Sequence, residues 1–226
     1  MAYREASTWA GEIEYSNFTV EYRTKTLGRV HVVNIVTFES GGKYMIDVAF
    51  GGDGATKPLQ LVHNRPVLNL GTQEIRLMHD WIPPQTRRTE KTKMWIYQYR
   101  NGPHKEWNAF YAFPEFEFTE ADFGVMNCFT GESQESFQTF TMLIVKFLGR
   151  RVTTENGESD NDGDLEIYGK RMLVNGIVKE NLGGRTRVVK ECQTEVERIQ
   201  VLKEYFNISL NKEEIDGIKG WITELR

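Results

Sequence analysis

Apolar and polar residues alternate at period two through the first two-thirds of the chain, in stretches rich in Val, Ile, Tyr and Phe. Such alternation marks strands with one buried face. It predicts strands over 12–23, 29–38, 43–50, 73–81, 93–100 and 106–112, with a long connection over 58–72. Many strands in succession, with few helical patterns between them, predict a closed or nearly closed antiparallel barrel. A short helix is expected over 119–129, with Thr119 as its N-cap and Glu120 and Asp122 in its first turn.

Beyond this point the pattern changes. Strands are expected over 139–148, around 165–175 and around 185–190. Two helices follow. The first, 193–206, carries Val196, Ile199, Val201, Leu202 and Phe206 at helical spacing, with Thr194 near its start. The second, 211–225, opens on Asn211 and shows Ile215, Ile218, Trp221 and Ile222 on one side. Both stripes read as core packing. Residues 154–164, TENGESDNDGD, read as an acidic surface insertion. A calcium loop does not fit, because no Glu stands at the twelfth position from Asp160.

The 226 residues suffice for one large or two modest domains. A net charge of −4 and a pI near 5.7 exclude a general nucleic-acid binder, which needs a basic stripe. No apolar run approaches the roughly 18 residues of a membrane span, and the first fifteen residues lack the apolar core of a signal peptide. The two cysteines, Cys128 and Cys192, do not make a disulfide framework and suit a reducing cytosol. A cytoplasmic protein is expected, with no metal.

The stretch HVVNIVTFESGGKYMIDVAFGG, 31–52, places His31 and Asp47 across a hairpin. A two-residue loop at Gly41-Gly42 would send the two side chains to opposite faces. A three-residue loop, Glu39-Ser40-Gly41, pairs Phe38 with Gly42 and makes His31 and Asp47 diagonal neighbours on one face, with Cα atoms about 7–8 Å apart. Gly41 suits the left-handed position that such a loop needs. An Asp that holds an imidazole, which in turn takes a proton from a thiol or hydroxyl, is the back half of a nucleophile-activating relay. The other reading is a structural histidine beside an unrelated aspartate at a strand end.

The segments HVVNIVTF, KYMIDVAFGG and KPLQL are similar to the central part of the arylamine N-acetyltransferases, especially the fungal ones. The residues that carry the likeness are His31, Tyr44, Asp47, Val48, Phe50, Gly51, Pro58 and Leu59, with Ala49 in place of the usual Gly. The segment from Glu115 to Phe140 and the end of the chain from Cys192 extend the resemblance over roughly 28–226. It implies an α+β fold of the cysteine-proteinase-like superfamily: an unmatched segment 1–11, an antiparallel β-barrel domain over 12–135, and an α/β lid over 136–226 ending in helices. It implies transfer of an acetyl or other acyl group from acetyl-CoA, or another acyl-CoA, to an arylamine or hydrazine through a cysteine thioester. In it His31 and Asp47 match the catalytic pair, and Val30 and Phe50 match acceptor-site positions. Gly28, Phe129, Ser133 and Ser136 match positions near coenzyme A.

One departure stands out. The family's nucleophile lies in an Arg-Gly-Gly-x-Cys motif upstream of the histidine, and this sequence contains none. The chain therefore reads as the barrel and lid of a truncated member that lacks its N-terminal helical domain, inactive as it stands. The alternative is a non-catalytic remnant that binds an acyl-CoA or a protein partner. Cys128 and Cys192 read as inert buried thiols, and Ser7 and Thr8 are no better placed as nucleophiles.

Overall fold

The computed structural model describes residues 11–21, 29–48, 50–151 and 165–225. The segment 1–10 with Ser7 and Thr8, then Gly28, Ala49 and the acidic loop 154–164, lie outside the described residues. The chain falls into two compact units, Met1–Phe129 and Thr130–Arg226.

The first unit is built on one antiparallel sheet of eight strands: β1 (Gly11–Glu21), β2 (Arg29–Phe38), β3 (Lys43–Ile46), β4 (Leu59–Gln60), β5 (Val67–Leu68), β6 (Gln73–Asp80), β7 (Met94–Asn101) and β8 (Asn108–Phe113). Their order is β4-β3-β2-β1-β8-β7-β6-β5. The order is linear, so β4 and β5 are edges. The chain just past β4 nonetheless reaches the other end of the sheet. His63 forms an isolated parallel bridge with Leu77 of β6, and the amide of Asn64 donates to the Leu77 carbonyl at 2.7 Å. Leu59 from one end and Ile75 and Leu77 from the other join a single buried core with Val33, Ile35 and Met45. The expected barrel is thus a sheet rolled until its ends meet at a bridge, not a continuous ladder.

The β2–β3 hairpin follows from its glycines. Gly41 has φ +80, its amide donates to the Phe38 carbonyl at 2.7 Å, and the Phe38 amide donates to the Gly42 carbonyl at 2.9 Å. The ladder pairs Thr37 with Lys43 and Asn34 with Ile46, the register of a three-residue loop. β3 stops at Ile46 instead of running to 50, because the Asp47 carboxylate takes the amide of Phe50 at 3.1 Å and turns the chain. The expected connection 58–72 contains β4 and β5, each only two residues long and too short for a periodic signal.

A bulge interrupts the pairing of β7 with β8. Tyr97 pairs with Tyr111 and Gln98 with Ala109, which sets Phe110 at the bulge. Phe110 and Tyr111 are consecutive, yet both enter the same core. Behind them, Ile82, Ile96 and Ala112 form a second small cluster, so this part of the sheet is covered on both faces.

The second unit holds an antiparallel sheet of order β12-β11-β10-β9, made of β9 (Leu143–Arg151), β10 (Leu165–Val174), β11 (Ile177–Asn181) and β12 (Arg187–Glu191). β9 begins at Leu143, not 139, since Phe137–Phe140 forms a short helix, α2. β11 is absent from the expectation. The signal was present in Asn175-Gly176: Asn175 has φ +53, and Val174 pairs with Ile177, as in a tight Asn-Gly hairpin.

Helix α3 (Glu195–Phe206) starts where Thr194 accepts the Glu197 amide and ends where Asn207 turns left-handed at φ +60. Its Val201, Leu202 and Phe206 pack with Leu173, Val178 and Cys192. Each such side chain, fully buried, contributes about 1.5–3 kcal/mol. Helix α4 is shorter than expected, Lys212–Asp216, although Asn211 caps it as predicted, in a capping box with Glu214. Turns replace the helix beyond Asp216, and Trp221 and Ile222 are exposed, so the core role expected for them is corrected.

Helix α1 (Glu120–Glu132) runs three residues past the expected end and has no buried residue among those described. The Thr119 amide and hydroxyl both donate to Asp122, so Asp122 draws in the residue expected as the cap. Cys128, expected as a buried thiol, is exposed on this helix, whereas Cys192 is buried. No helix among the described residues is long and apolar enough to cross a membrane.

Candidate active site

His31 projects from β2 and Asp47 sits one residue past β3. The hairpin register puts them on one face, and Nε2 of His31 lies 2.9 Å from Oδ2 of Asp47. The Asp47 side chain is fully buried, while the His31 ring keeps 14% of its surface exposed. Donors that meet the carboxylate include three among the described residues. The Tyr111 hydroxyl donates to Oδ2 at 2.6 Å, the Phe50 amide donates to Oδ1 at 3.1 Å, and His31 supplies the third. A buried carboxylate needs such donors, because each one that is missing leaves desolvated charge uncompensated. An ionised Asp47 only accepts, so Nε2 of His31 carries the hydrogen and Nδ1 is the basic nitrogen.

Aromatic rings enclose the pair. Phe50 meets His31 edge-on with centroids 5.2 Å apart. It also contacts Phe110 at 5.0 Å and Tyr111 at 4.9 Å, the two neighbours that the bulge turns inward together. Tyr97 stacks on Tyr111 at 4.9 Å, and its hydroxyl donates to the Asp53 carbonyl at 2.9 Å. Burial, then the charge of Asp47, holds the Tyr111 phenol well above its ordinary value. Tyr97 is raised by the same two causes, with Asp53 adding to them. Tyr111 therefore stays protonated and donates.

Tyr111 and Tyr97 were missed in the sequence. Only their place in strands hinted at them, and the strand order that sets β8 and β7 beyond β1 from the hairpin is a long-range fact. Val30 precedes His31 in β2. Phe129 is half-buried on α1. Ser133 and Ser136 belong to the second unit, where the buried Ser136 hydroxyl donates to the Thr130 carbonyl at 2.8 Å. Ser133 accepts the Glu135 amide at 3.2 Å. Both serines thus shape the turn after α1. Open clefts elsewhere include two among the described residues. One, of about 520 Å³, is walled by His79, Trp95 and Glu115. The other, of about 550 Å³, is walled by Met142, Leu202 and Trp221.

A family profile described as N-acetyltransferase matches residues 16–215. The chain belongs to the arylamine N-acetyltransferase family. Among curated proteins, this family member is similar to N-malonyltransferase FDB2 of Fusarium pseudograminearum (strain CS3096). The two are 33% identical over 194 residues, which is 83% of this chain and 53% of that protein. N-malonyltransferase FDB2 of Gibberella moniliformis is also 33% identical, over 180 residues covering 77% of this chain and 49% of the relative. The chain thus spans about half the length of the curated relatives it matches.

Two solved arylamine N-acetyltransferases share the fold. That of Salmonella typhimurium has a TM-score of 0.68 at 19% identity, covering 92% of this chain and 68% of that one. That of Mycobacterium marinum, solved in complex with CoA, has a TM-score of 0.65 at 17% identity, covering 92% and 68%.

Proposed function

We propose that this chain carries the base half of an acyl-transfer relay. The transfer takes a short acyl group from a coenzyme A thioester to the nitrogen of an arylamine or hydrazine. The observation that carries the reading is the buried Asp47 carboxylate, which holds His31 at 2.9 Å with support from Tyr111. This arrangement fixes one tautomer and stabilises the imidazolium that forms when Nδ1 takes a proton.

The chemistry runs in two halves. A thiol gives its proton to Nδ1 as its sulfur attacks the thioester carbonyl, and coenzyme A leaves as a thiol carrying that proton. The amine then attacks the acyl-thioester and loses its proton to Nδ1, and that proton returns to the departing enzyme thiol. Phe50, whose ring borders His31, and Val30 serve the acceptor. Gly28, Phe129, Ser133 and Ser136 serve the coenzyme.

Malonyl is the favoured acyl group, because the relatives named N-malonyltransferase match at 33% identity over most of this chain. The Arg-Gly-Gly-x-Cys motif does not occur in these residues, so the relay works only when a thiol reaches Nδ1. The test is a chimera that places the N-terminal half of the Fusarium relative ahead of this chain, assayed for arylamine acylation. Turnover is expected with malonyl-CoA in preference to acetyl-CoA. A folded chimera without turnover on either donor contradicts the reading.

A further inference from the structure

The face of β6 and β7 that points away from the core brings two guanidinium groups together at one end. Glu74 opposes Arg100 across the ladder, and Arg76 opposes Gln98. Arg100 has a carboxylate partner, with its Nε 2.6 Å from Glu74. Arg76 does not. Its Nε donates to Gln98 Oε1 at 2.8 Å and its Nη1 to Asn64 Oδ1 at 2.6 Å, both neutral amide oxygens. Asn64 reaches this position from a left-handed backbone at φ +58, a conformation that costs free energy in a residue other than glycine.

Both guanidinium groups sit on one indole. The Cζ atoms of Arg76 and Arg100 lie 4.0 and 4.5 Å from the Trp107 ring centroid. As diagonal cross-strand neighbours they share one face. Burial and the charge of Arg100 hold the Arg76 guanidinium below its ordinary value. Two cations are therefore kept side by side, and among the described residues only Glu74 pairs with either. The plane of Arg76 is fixed by groups that leave its charge uncompensated, and its Nη2 edge has no acceptor among the described residues. A fork held in this way matches the tetrahedral oxygens of a phosphate.

We propose that this outer face of β6 and β7 binds a phosphate-class oxyanion through the forks of Arg76 and Arg100 beside Trp107. The site lies on the sheet face opposite the His31 core and does not depend on the acyl-transfer reading. The phosphate comes either as a free phosphoryl group or as the 3′-phosphate of a coenzyme A molecule, and the two are separable by experiment.

The test is calorimetric titration of the whole chain with inorganic phosphate, coenzyme A and dephospho-coenzyme A at constant ionic strength. Saturable one-to-one phosphate binding is expected. Arg76→Gln and Arg100→Gln should each weaken it by about tenfold or more, while Lys105→Gln, in the neighbouring turn, leaves it unchanged. Arg76→Lys keeps the charge and loses the fork, so it should also weaken binding, and thermal melts confirm that each variant is folded. An advantage of coenzyme A over its dephospho form that vanishes in Arg76→Gln assigns the oxyanion to the coenzyme. Phosphate binding without that advantage assigns it to a free phosphoryl group. Either result supports the site. No saturable binding of phosphate, or equal binding by wild type and Arg76→Gln, overturns it.

Discussion

The Tyr111 hydroxyl donates to Oδ2 of Asp47 at 2.6 Å, the same oxygen that lies 2.9 Å from Nε2 of His31. One carboxylate oxygen thus ties β8 to the β2–β3 hairpin, 64 residues apart in sequence for the tyrosine and 16 for the histidine.

Removing that hydroxyl leaves the buried anion one donor short. Tyr111→Phe keeps the ring and its stacking on Tyr97. It should destabilise the first unit by about 1.5–3 kcal/mol, the usual range for a hydrogen bond to a charged group. Urea unfolding measures it. A loss below a few tenths of a kcal/mol would mean that Asp47 does not depend on Tyr111.

Asp47 also sets the imidazole tautomer. In the wild type, long-range proton–nitrogen correlation spectra should show His31 with its hydrogen on Nε2 when neutral. Asp47→Asn replaces a pure acceptor by a group that can also donate, so the spectra should shift toward the Nδ1–H form or a mixture. Identical spectra in the two proteins would remove Asp47 from its orienting role.

Acid should unfasten the second sheet at a different place. Hydrogen bonds from Arg187 and Arg171 hold the Glu180 carboxyl below its ordinary value. A lowered folded value gives stability that is present above the unfolded carboxyl pKa of about 4.3 and lost as pH falls through the folded value. The stability gap between wild type and Glu180→Gln should therefore be full near about pH 6 and shrink below about pH 4. Unfolding midpoints across this range measure it, and a gap that does not change with pH contradicts it.

Much of the fold was readable because its signals are local. β2 was expected over 29–38 and spans Arg29–Phe38. Gly41 suited one of the two hairpin registers the sequence left open, and Thr194 and Asn211 announced two helix starts. Hidden features were of two kinds. β4 and β5 are too short to show a period. The β7–β8 bulge and the rolling of the sheet arise from pairings between distant segments, which no single stretch encodes. The site divided in the same way. His31 and Asp47 could be joined by counting along one hairpin, whereas Tyr111 reaches them only through the sheet. Trp221 and Ile222 misled because periodicity marks a shared face and cannot say whether anything covers it.

The chain by itself should not form an acyl-enzyme. Cys192 is buried, and burial pushes its thiol up, away from the reactive thiolate. Cys128 is exposed on α1, and the candidate site built around His31 assigns it no role. After incubation with acetyl-CoA or malonyl-CoA, intact mass should show the unmodified chain. A stoichiometric adduct, lost in Cys128→Ala together with arylamine acylation, would make Cys128 the nucleophile.

The most direct test of the central claim, that His31 held by Asp47 is the base of an acyl-transfer relay, uses the chimera with the Fusarium N-terminal half. Its acyl-enzyme formation with malonyl-CoA is followed by rapid-quench intact mass. One acyl group per chain is expected in the unsubstituted chimera, with formation slowed by several orders of magnitude in His31→Gln and Asp47→Asn, as for other relays that lose a member. Acylation at the same rate in folded His31→Gln would contradict the account.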